Sequence, residues 1–359
     1  MPFRQVFGHR RLLELVARAV ARDTLPPSLV FGGGEGVGKF TTAVALAEVL
    51  NCAEPVRHPA GTRDAFEADA CGQCASCKRV QRAVARLGEG AETGLDVFRV
   101  LRPDDKGSIK IDPVRALVAA CAYRPFDGRR RLVVLDEADT LEVSAQNALL
   151  KVLEEPPPGT VFVLLTTRPD ALLPTIRSRC PRLRFGPLTA QEIAAFLAER
   201  RGASEPDARA AAARADGSIA RALADLEGDP GDARRVAAEV LGMVAGSSAV
   251  TGRLAAAQAL IARAEGAKGK KSSAAATRAE VAGRLQAMAA LLRDVEVLAA
   301  GAGGRWLANT DLDAQLGRLT RAFRGERAVR AFGAVDRALY ALERNVGHKN
   351  VADWVALEL

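Results

Sequence analysis

Residues 28–50 read SLVFGGGEGVGKFTTAVALAEVL. An apolar strand, Ser28–Phe31, runs into a glycine loop, and the loop opens into a helix on which Ala43, Leu46, Ala47 and Leu50 share one face. Between them, Gly33-Gly34-Glu35-Gly36-Val37-Gly38-Lys39 has the spacing G-x-x-x-x-G-K of a phosphate cradle. The glycines admit a tight loop, successive N–H groups and the helix N-terminus face the anion, and the lysine adds a charge. A plain glycine-rich turn would need neither the strand before nor the helix behind. Gly33, Gly36, Gly38 and Lys39 are therefore candidate phosphate-binding residues. Phe40 takes the place after the lysine where a Ser or Thr hydroxyl normally holds Mg²⁺, and Thr41 comes one place late. Phosphate binding can survive that exchange, whereas it argues against Mg²⁺-assisted hydrolysis.

Working outward, strands are expected at Asp96–Leu101, Arg131–Leu135, Val161–Thr166 and Arg182–Phe185, with helical patterns between them. With Ser28–Phe31 they predict an α/β domain over residues 1–186, built on a five-stranded parallel sheet. The strand Arg131–Leu135 ends in Asp136-Glu137. In a phosphate-loop protein this strand presents one acid to a metal and the next to a water, which assigns Asp136 to the metal and Glu137 to the water.

From Thr189 onward Ala, Leu and Arg recur at helical spacing and no strand is expected. Residues 187–230 read as a small helical segment, Gly228–Asp232 (GDPGD) as a hinge, and 231–359 as an all-α domain. Two stripes, Val281, Leu285, Met288, Leu292 and Val295, and Phe332, Val335, Leu339, Leu342 and Val346, are expected to face a bundle core. Gly266–Thr277 (GAKGKKSSAAAT), with Lys268, Lys270 and Lys271, reads as a basic linker.

Cys71-x2-Cys74-x2-Cys77, with Cys52 upstream, supplies four soft ligands, the number tetrahedral Zn²⁺ takes. His58 lies in the gap between Cys52 and Cys71 as an alternative fourth ligand. A structural zinc site fits six cysteines in 359 residues better than a disulfide framework does, and an iron–sulfur cluster is the alternative metal group. Cys121 and Cys180 are expected to be buried thiols.

Composition sets the outer limits. At 48% hydrophobic and 26% charged residues, the chain reads as two or three globular domains. No apolar run approaches the roughly 18 residues of a membrane span. Arg4, Arg10, Arg11, Glu14 and Arg18 interrupt any signal core, so a cytoplasmic protein is expected. The net charge of +8 suits polyanionic neighbours such as nucleic acid. With 12 Phe, 2 Trp and 2 Tyr, an extended base-stacking platform is not expected.

Several of these stretches together carry a resemblance. They are the phosphate loop followed by Phe40-Thr41-Thr42-Ala43, the cysteine insertion, Leu135-Asp136-Glu137-Ala138-Asp139, the run QNALLKVLEEPP over residues 146–157, Thr166-Thr167, and Ile176-Arg177-Ser178-Arg179-Cys180. They resemble the bacterial clamp-loader subunits of the AAA+ class. The resemblance implies an AAA+ nucleotide-binding domain with a zinc-binding insertion at about 52–77, a helical lid at 187–230, and a helical collar at 231–359. It places Arg179 as an arginine finger reaching a neighbour's nucleotide, and Thr167 as the first sensor; Thr41, Asp136 and Thr167 join the loop as nucleotide-binding candidates.

Within that family the gamma/tau motors carry Ser or Thr after the loop lysine and a sensor arginine in the lid. Here Gly217-Ser218-Ile219-Ala220-Arg221 has Ala220 in the sensor place, with Arg221 about 100° further round the helix. Both departures point to the delta-prime type, which does not itself hydrolyse ATP appreciably. The segments Leu291-Leu292-Arg293-Asp294, Trp306-Leu307-Ala308-Asn309 and Asn345-Val346-Gly347-His348-Lys349 resemble the delta-prime collar, and His9 stands where the adenine-side motif usually has Gln.

The implied role is a non-motor subunit of the DNA polymerase III holoenzyme that helps place a sliding clamp on primed DNA. Implied partners are gamma/tau and delta subunits, the clamp and primed DNA, with no membrane; implied cofactors are structural Zn²⁺ and possible ATP/Mg²⁺. Two alternatives stay open: a gamma/tau-type ATPase motor, and a zinc-dependent nucleic-acid-binding module with a relic AAA+ domain.

Overall fold

The computed structural model describes residues 1–59, 65–86, 92–104, 107–126, 128–227, 230–247, 249–262, 274–302, 307–309, 312–343 and 346–359. The chain divides into two compact units, Met1–Ala222 and Leu223–Leu359. Among the described residues no helix is long and apolar enough to cross a membrane.

The first unit is built on strands β1 (Ser28–Gly33), β4 (Glu92–Leu95), β5 (Phe98–Leu101), β6 (Arg131–Leu135), β7 (Thr160–Thr166) and β8 (Arg182–Phe185), with β2 (Val56–Arg57) and β3 (Ala68–Asp69) forming a separate hairpin. The main sheet runs in the order β4-β5-β6-β7-β1-β8. Strands β5, β6, β7, β1 and β8 are mutually parallel, as expected from the alternating apolar runs.

Two features depart from expectation. A sixth strand, β4, adds an antiparallel edge to β5; its Glu-Thr-Gly-Leu sequence carries no apolar run by which to recognise it. The expected strand Asp96–Leu101 starts only at Phe98. Asp96 turns out of the ladder because its carboxylate pairs with the Arg131 guanidinium, which is buried at 3% exposure and also donates to the Asp96 and Tyr123 carbonyls at 2.9 Å.

Helices cover both faces. Along β6, Leu132 and Val134 pack on one side with Leu13, Leu46 and Val80, from α1 (Arg10–Ala21), α2 (Lys39–Asn51) and α3 (Ala75–Ala85). Val133 and Leu135 pack on the other with Val114, Leu117 and Leu149, from α4 (Ile111–Ala120) and α5 (Val143–Glu154). A strand buried on both faces has no polar alternation, which is why it reads as a continuous apolar run. A one-turn helix α6 (Pro174–Arg177) precedes β8. Then come α7 (Ala190–Arg201), α8 (Glu205–Arg214) and α9 (Ile219–Glu227). Thr189 and Glu192 close a reciprocal cap at the start of α7.

The second unit holds α10 (Pro230–Gly246), α11 (Val250–Ile261), α12 (Ala274–Ala299), α13 (Asp313–Ala322), α14 (Glu326–Glu343) and α15 (His348–Glu358), and no strand among its described residues. The α12 stripe Val281, Leu285, Met288, Leu292 and Val295 is buried as expected. The α14 stripe is corrected: Val335 and Leu342 are buried and Leu339 half-buried, but Phe332 is 44% exposed and Val346 lies beyond the helix at 41%. The core face of α14 is carried instead by Ala328, Ala331, Ala334 and Ala338, small residues that a search for large apolar ones passes over.

Asp294 and Asn309, 15 residues apart, meet in this core. The Asp294 carboxylate, fully buried, accepts from the Ala308 and Asn309 N–H groups and from Asn309 Nδ2. Of the expected hinge, Gly228 and Asp229 lie outside the described residues while Pro230 begins α10. Of the basic linker 266–277, residues 266–273, with all three lysines, lie outside them too, as do Trp306 and Asn345.

Candidate functional site

The carboxyl ends of the parallel strands meet along one edge of the sheet, where open α/β proteins bind ligands. Register puts Gly32 of β1 opposite Thr166 of β7, and Gly33 opposite Phe185 of β8. A Cβ at Gly33 would lie 2.2 Å from the Phe185 carbonyl oxygen, so the loop can leave the sheet there only as glycine. Gly36 and Gly38 then turn through positive φ, at 69° and 100°, and α2 starts at Lys39. The Lys39 ammonium donates to the Gly33 and Gly34 carbonyls at 2.7 and 2.6 Å. Burial pushes its pKa down, against the pull of Asp136, Glu35 and Asp139.

Two further segments close on the loop. The Ile219 N–H donates to the Gly36 carbonyl at 3.0 Å, and a Cβ on Gly36 would lie 2.2 Å from Ser218 Oγ and 2.6 Å from Ala220 Cβ. Ala220, at the position where the resemblance would place a sensor arginine, thus sets a methyl group against the loop. Arg221 turns instead toward Asp216, at 3.7 Å. On the other side, His9 Nε2 donates to the Val37 carbonyl at 2.8 Å, and its ring meets Phe185 edge-on at 4.9 Å. The residue found where Gln is usual is therefore tied to the loop backbone.

The acidic end of β6 is occupied by protein cations. Leu101 and Leu135 are register partners, so Arg102 and Asp136 follow them side by side. Arg102 Nε lies 3.3 Å from Asp136 Oδ2, and its guanidinium sits 5.5 Å over the Phe40 ring. Phe40 in turn meets Phe98 edge-on at 6.3 Å. Partial desolvation and then the negative neighbours Asp136, Asp139 and Glu35 raise the Glu137 pKa, with Arg102 pulling it down. Asp139 is engaged with the end of β7: it accepts from Thr166 Oγ1 at 2.9 Å and the Thr167 N–H at 3.3 Å, and pairs with Arg168 at 3.0 Å.

Sequence reading singled out Asp136, Glu137, Thr167 and Lys39, and the fold gathers them at this edge. It missed Arg102, His9's tie to the loop, and Asp139's hold on β7. The signal for Arg102 was present: a basic residue directly after the strand that neighbours β6. Thr41 lies in the first turn of α2, one residue beyond Phe40.

A Mg²⁺ ion does not fit this corner. It needs near-octahedral oxygen ligands, commonly a loop hydroxyl and one carboxylate beside the phosphates. Here an aromatic ring replaces the hydroxyl, and a guanidinium already holds the carboxylate.

Arg179 follows α6. Its side chain, 36% exposed, pairs with Glu154 and donates to the Thr175 carbonyl at 2.8 Å. Cys180 beside it is buried, as is Cys121; burial pushes the Cys180 thiol up to about 11 against the Arg179 charge.

The cysteine insertion forms a second centre. The Sγ atoms of Cys52, Cys71, Cys74 and Cys77 all lie within 4.8 Å of one another. Individual separations are 4.0 Å for Cys52–Cys74 and Cys71–Cys77, and 3.5 Å for Cys74–Cys77. Four thiolates around one zinc at about 2.3 Å stand about 3.8 Å apart, so the donor set fits a tetrahedral soft ion. His58 is not among the clustered donors and lies on the β2–β3 hairpin, where its N–H bonds the Glu67 carbonyl at 3.3 Å. Burial works to raise the Cys74 thiol, but hydrogen bonds from the Cys77 and Ala53 backbone and from neighbouring thiols outweigh it and bring it down to about 6. Burial raises Cys52 and Cys77.

The glycine cradle at the end of β1, the carboxylates at the end of β6 and the helices packed against the loop define a phosphate-loop α/β protein. A sequence profile of the family described as DNA polymerase III, delta subunit, matches residues 8–189, just over half the chain, and the chain belongs to that family. It is 31% identical over 210 residues to the DNA polymerase III subunit gamma/tau of Mycobacterium tuberculosis, covering 57% of this chain and 33% of that protein. It is 29% identical over 235 residues to the tau subunit of Bacillus subtilis, covering 63% and 37%. The chain thus spans about a third of the length of these relatives. A solved DNA polymerase III gamma subunit-related protein of Thermotoga maritima aligns with 96% of this chain and 98% of its own, at 17% identity and TM-score 0.46.

Proposed function

We propose that this chain is a delta-prime-type subunit of a DNA polymerase III clamp loader: a phosphate-loop subunit that does not turn over ATP itself and lends Arg179 to a motor neighbour. The observation that carries the reading is the combination at the cradle. The backbone loop and Lys39 are complete, while Phe40, Arg102 and Ala220 stand where hydrolysis needs a hydroxyl, a free carboxylate and a sensor charge. In this reading residues 1–186 hold nucleotide through Gly33, Gly36, Gly38, Lys39, Thr41 and Thr167, with Asp136 acting only through the Arg102 it pairs with, residues 187–230 form the lid, and residues 231–359 form the collar that joins the other subunits. Glu137 is left without a metal-activated water to orient. The cysteines hold one structural Zn²⁺, which supplies local folding energy and no chemistry.

Arg179 suits a finger because a guanidinium grips two phosphate oxygens at once and cannot be deprotonated. Just past a one-turn helix, Glu154 and the Thr175 carbonyl hold its guanidinium, and a neighbour's phosphates would compete for the same fork. The partners are then gamma/tau and delta subunits, a sliding clamp and primed DNA.

The gamma/tau names of the relatives favour a second reading, an ATPase motor, and turnover separates the two. The isolated chain should hydrolyse Mg²⁺-ATP below about 1 s⁻¹, under the ordinary enzyme range. In loaders reconstituted with gamma/tau and delta, Arg179→Ala should lower clamp- and DNA-stimulated turnover, since an arginine finger is worth about 10³–10⁵ at the site it serves. The total falls less where other sites do not border this subunit. Ordinary turnover by the isolated chain would establish the motor instead; unchanged turnover and clamp loading in fully assembled Arg179→Ala complexes would remove the finger.

A further inference from the structure

We propose that the phosphate loop takes a nucleoside di- or triphosphate as the metal-free anion, with the Arg102 guanidinium standing where a divalent cation would stand. The proposal rests on the nucleotide-cradle part of the proposed function and is independent of the clamp-loader role.

Three observations converge on that corner. First, the parallel register of β5 and β6 delivers Arg102 beside Asp136, Nε to Oδ2 at 3.3 Å, so the carboxylate that would ligate an ion is neutralised by a side chain. Second, Phe40 occupies the hydroxyl position, with the guanidinium 5.5 Å over its ring and Phe98 packed on its edge at 6.3 Å. An aromatic face attracts a cation without offering it an oxygen, which suits a weakly hydrated guanidinium and not Mg²⁺. Third, the rest of the cradle is intact: the positive-φ glycines, the helix N-terminus at Gly38 and the Lys39 ammonium.

Arg102 lies between the first turn of α2 and the end of β6, the gap that a phosphate-bound ion bridges in a hydrolysing site. Its side chain is 39% exposed, so it has solvent access from which to meet a phosphate. A planar fork with several N–H donors can keep one on Asp136 and direct others at a β-phosphate oxygen. Such a site binds nucleotide and cannot polarise it through a metal. It would serve as a ligand-stabilised wall rather than an engine.

The test is calorimetric titration of the full chain with ADP and with ATP, once in excess Mg²⁺ and once in excess EDTA. Binding in EDTA should match or exceed binding in Mg²⁺. Lys39→Ala should abolish it in both media, placing the probe at the loop. Arg102→Ala should weaken binding in EDTA about 10–100-fold, the worth of hydrogen bonds between charged groups. The double variant Phe40→Thr/Arg102→Ala, which restores the hydroxyl and frees Asp136, should bind more tightly with Mg²⁺ than without.

Thermal melts of each variant in the absence of nucleotide establish that the fold is kept. Wild-type binding that requires Mg²⁺, or equal affinities for wild type and Arg102→Ala in EDTA, would overturn the proposal while leaving the cradle. Absence of binding in both media would overturn the cradle as well, and would leave the clamp-loader role to reconstitution.

Discussion

The cysteine cluster and the phosphate cleft both collect groups that carry negative charge, yet they differ in what faces those groups. In the cluster, four sulfurs from Cys52, Cys71, Cys74 and Cys77 face one another at separations that suit one ion. In the cleft, the two aspartates face side chains of the protein: Asp136 meets Arg102, and Asp139 meets Arg168 and the threonines of β7. One centre is arranged to take charge from outside, while the other has already been neutralised from within. The number of potential ligands is therefore a poor guide to metal binding; the partner each ligand already holds decides it. This contrast can be broken from either side.

The largest effect belongs to the cluster. Structural zinc sites in small peptides contribute apparent free energies of about 10–16 kcal/mol at neutral pH, because the site forms only when the chain folds around it. Metal analysis of the purified chain should find one zinc, and Cys74→Ser should lose it together with a drop in melting temperature. Cys52→Ser should do the same, whereas His58→Ala should keep its zinc, since the Cys52 sulfur lies with the others and His58 belongs to the hairpin. Equal zinc in wild type and Cys74→Ser would end the distinction between the two centres.

A smaller effect is expected from Asp139. Its side chain is 7% exposed and is the common acceptor for Thr166, Thr167 and Arg168 at the end of β7. Asp139→Ala would leave the Thr166 hydroxyl and a half-buried guanidinium without that partner. Losses of this kind cost about 2–4 kcal/mol. Urea unfolding of the variant, read against wild type, checks it. A loss under about 0.5 kcal/mol would mean that the carboxylate is held for a ligand rather than for the strand end.

What the sequence revealed and what it concealed follow the same line. The cysteine trio Cys71, Cys74 and Cys77 was legible because its ligands converge within two short turns. The loop was legible because strand, glycines and helix are contiguous. The five parallel strands were legible as apolar runs, since burial on both faces removes polar residues from them. Arg102 was not legible: its role depends on which strand lies beside β6 and in what register, facts of pairing that no local pattern records. The alanine face of α14 and the edge strand β4 escaped for a related reason, because neither carries the large apolar residues by which cores are usually recognised. Asp294 and Asn309 were legible only as parts of a resemblance, and the buried hydrogen bonds between them give that resemblance a physical cause.

The smallest expected effect concerns His9, which couples the start of the chain to the phosphate loop. It sits at φ 52° as the residue before α1, with Nε2 on the Val37 carbonyl at 2.8 Å and its ring against Phe185. Replacement by Ala would mix two losses, the side-chain contacts and a residue at ease in left-handed backbone. His9→Asn separates them, since Asn tolerates that backbone region well but is too short to reproduce both contacts. One hydrogen bond and one edge-on ring contact together are worth about 1–2 kcal/mol. Val37 is the residue between the two positive-φ glycines, so freeing its carbonyl should loosen the cradle and weaken ATP binding in EDTA by at most about 5–30-fold, the limit set by that energy. Zinc content should stay unchanged, because the cluster shares no hydrogen bond with His9. A His9→Asn protein with wild-type stability and wild-type nucleotide affinity would show that the loop holds its shape without the ring, and that the contact with the Val37 carbonyl is incidental to the cradle.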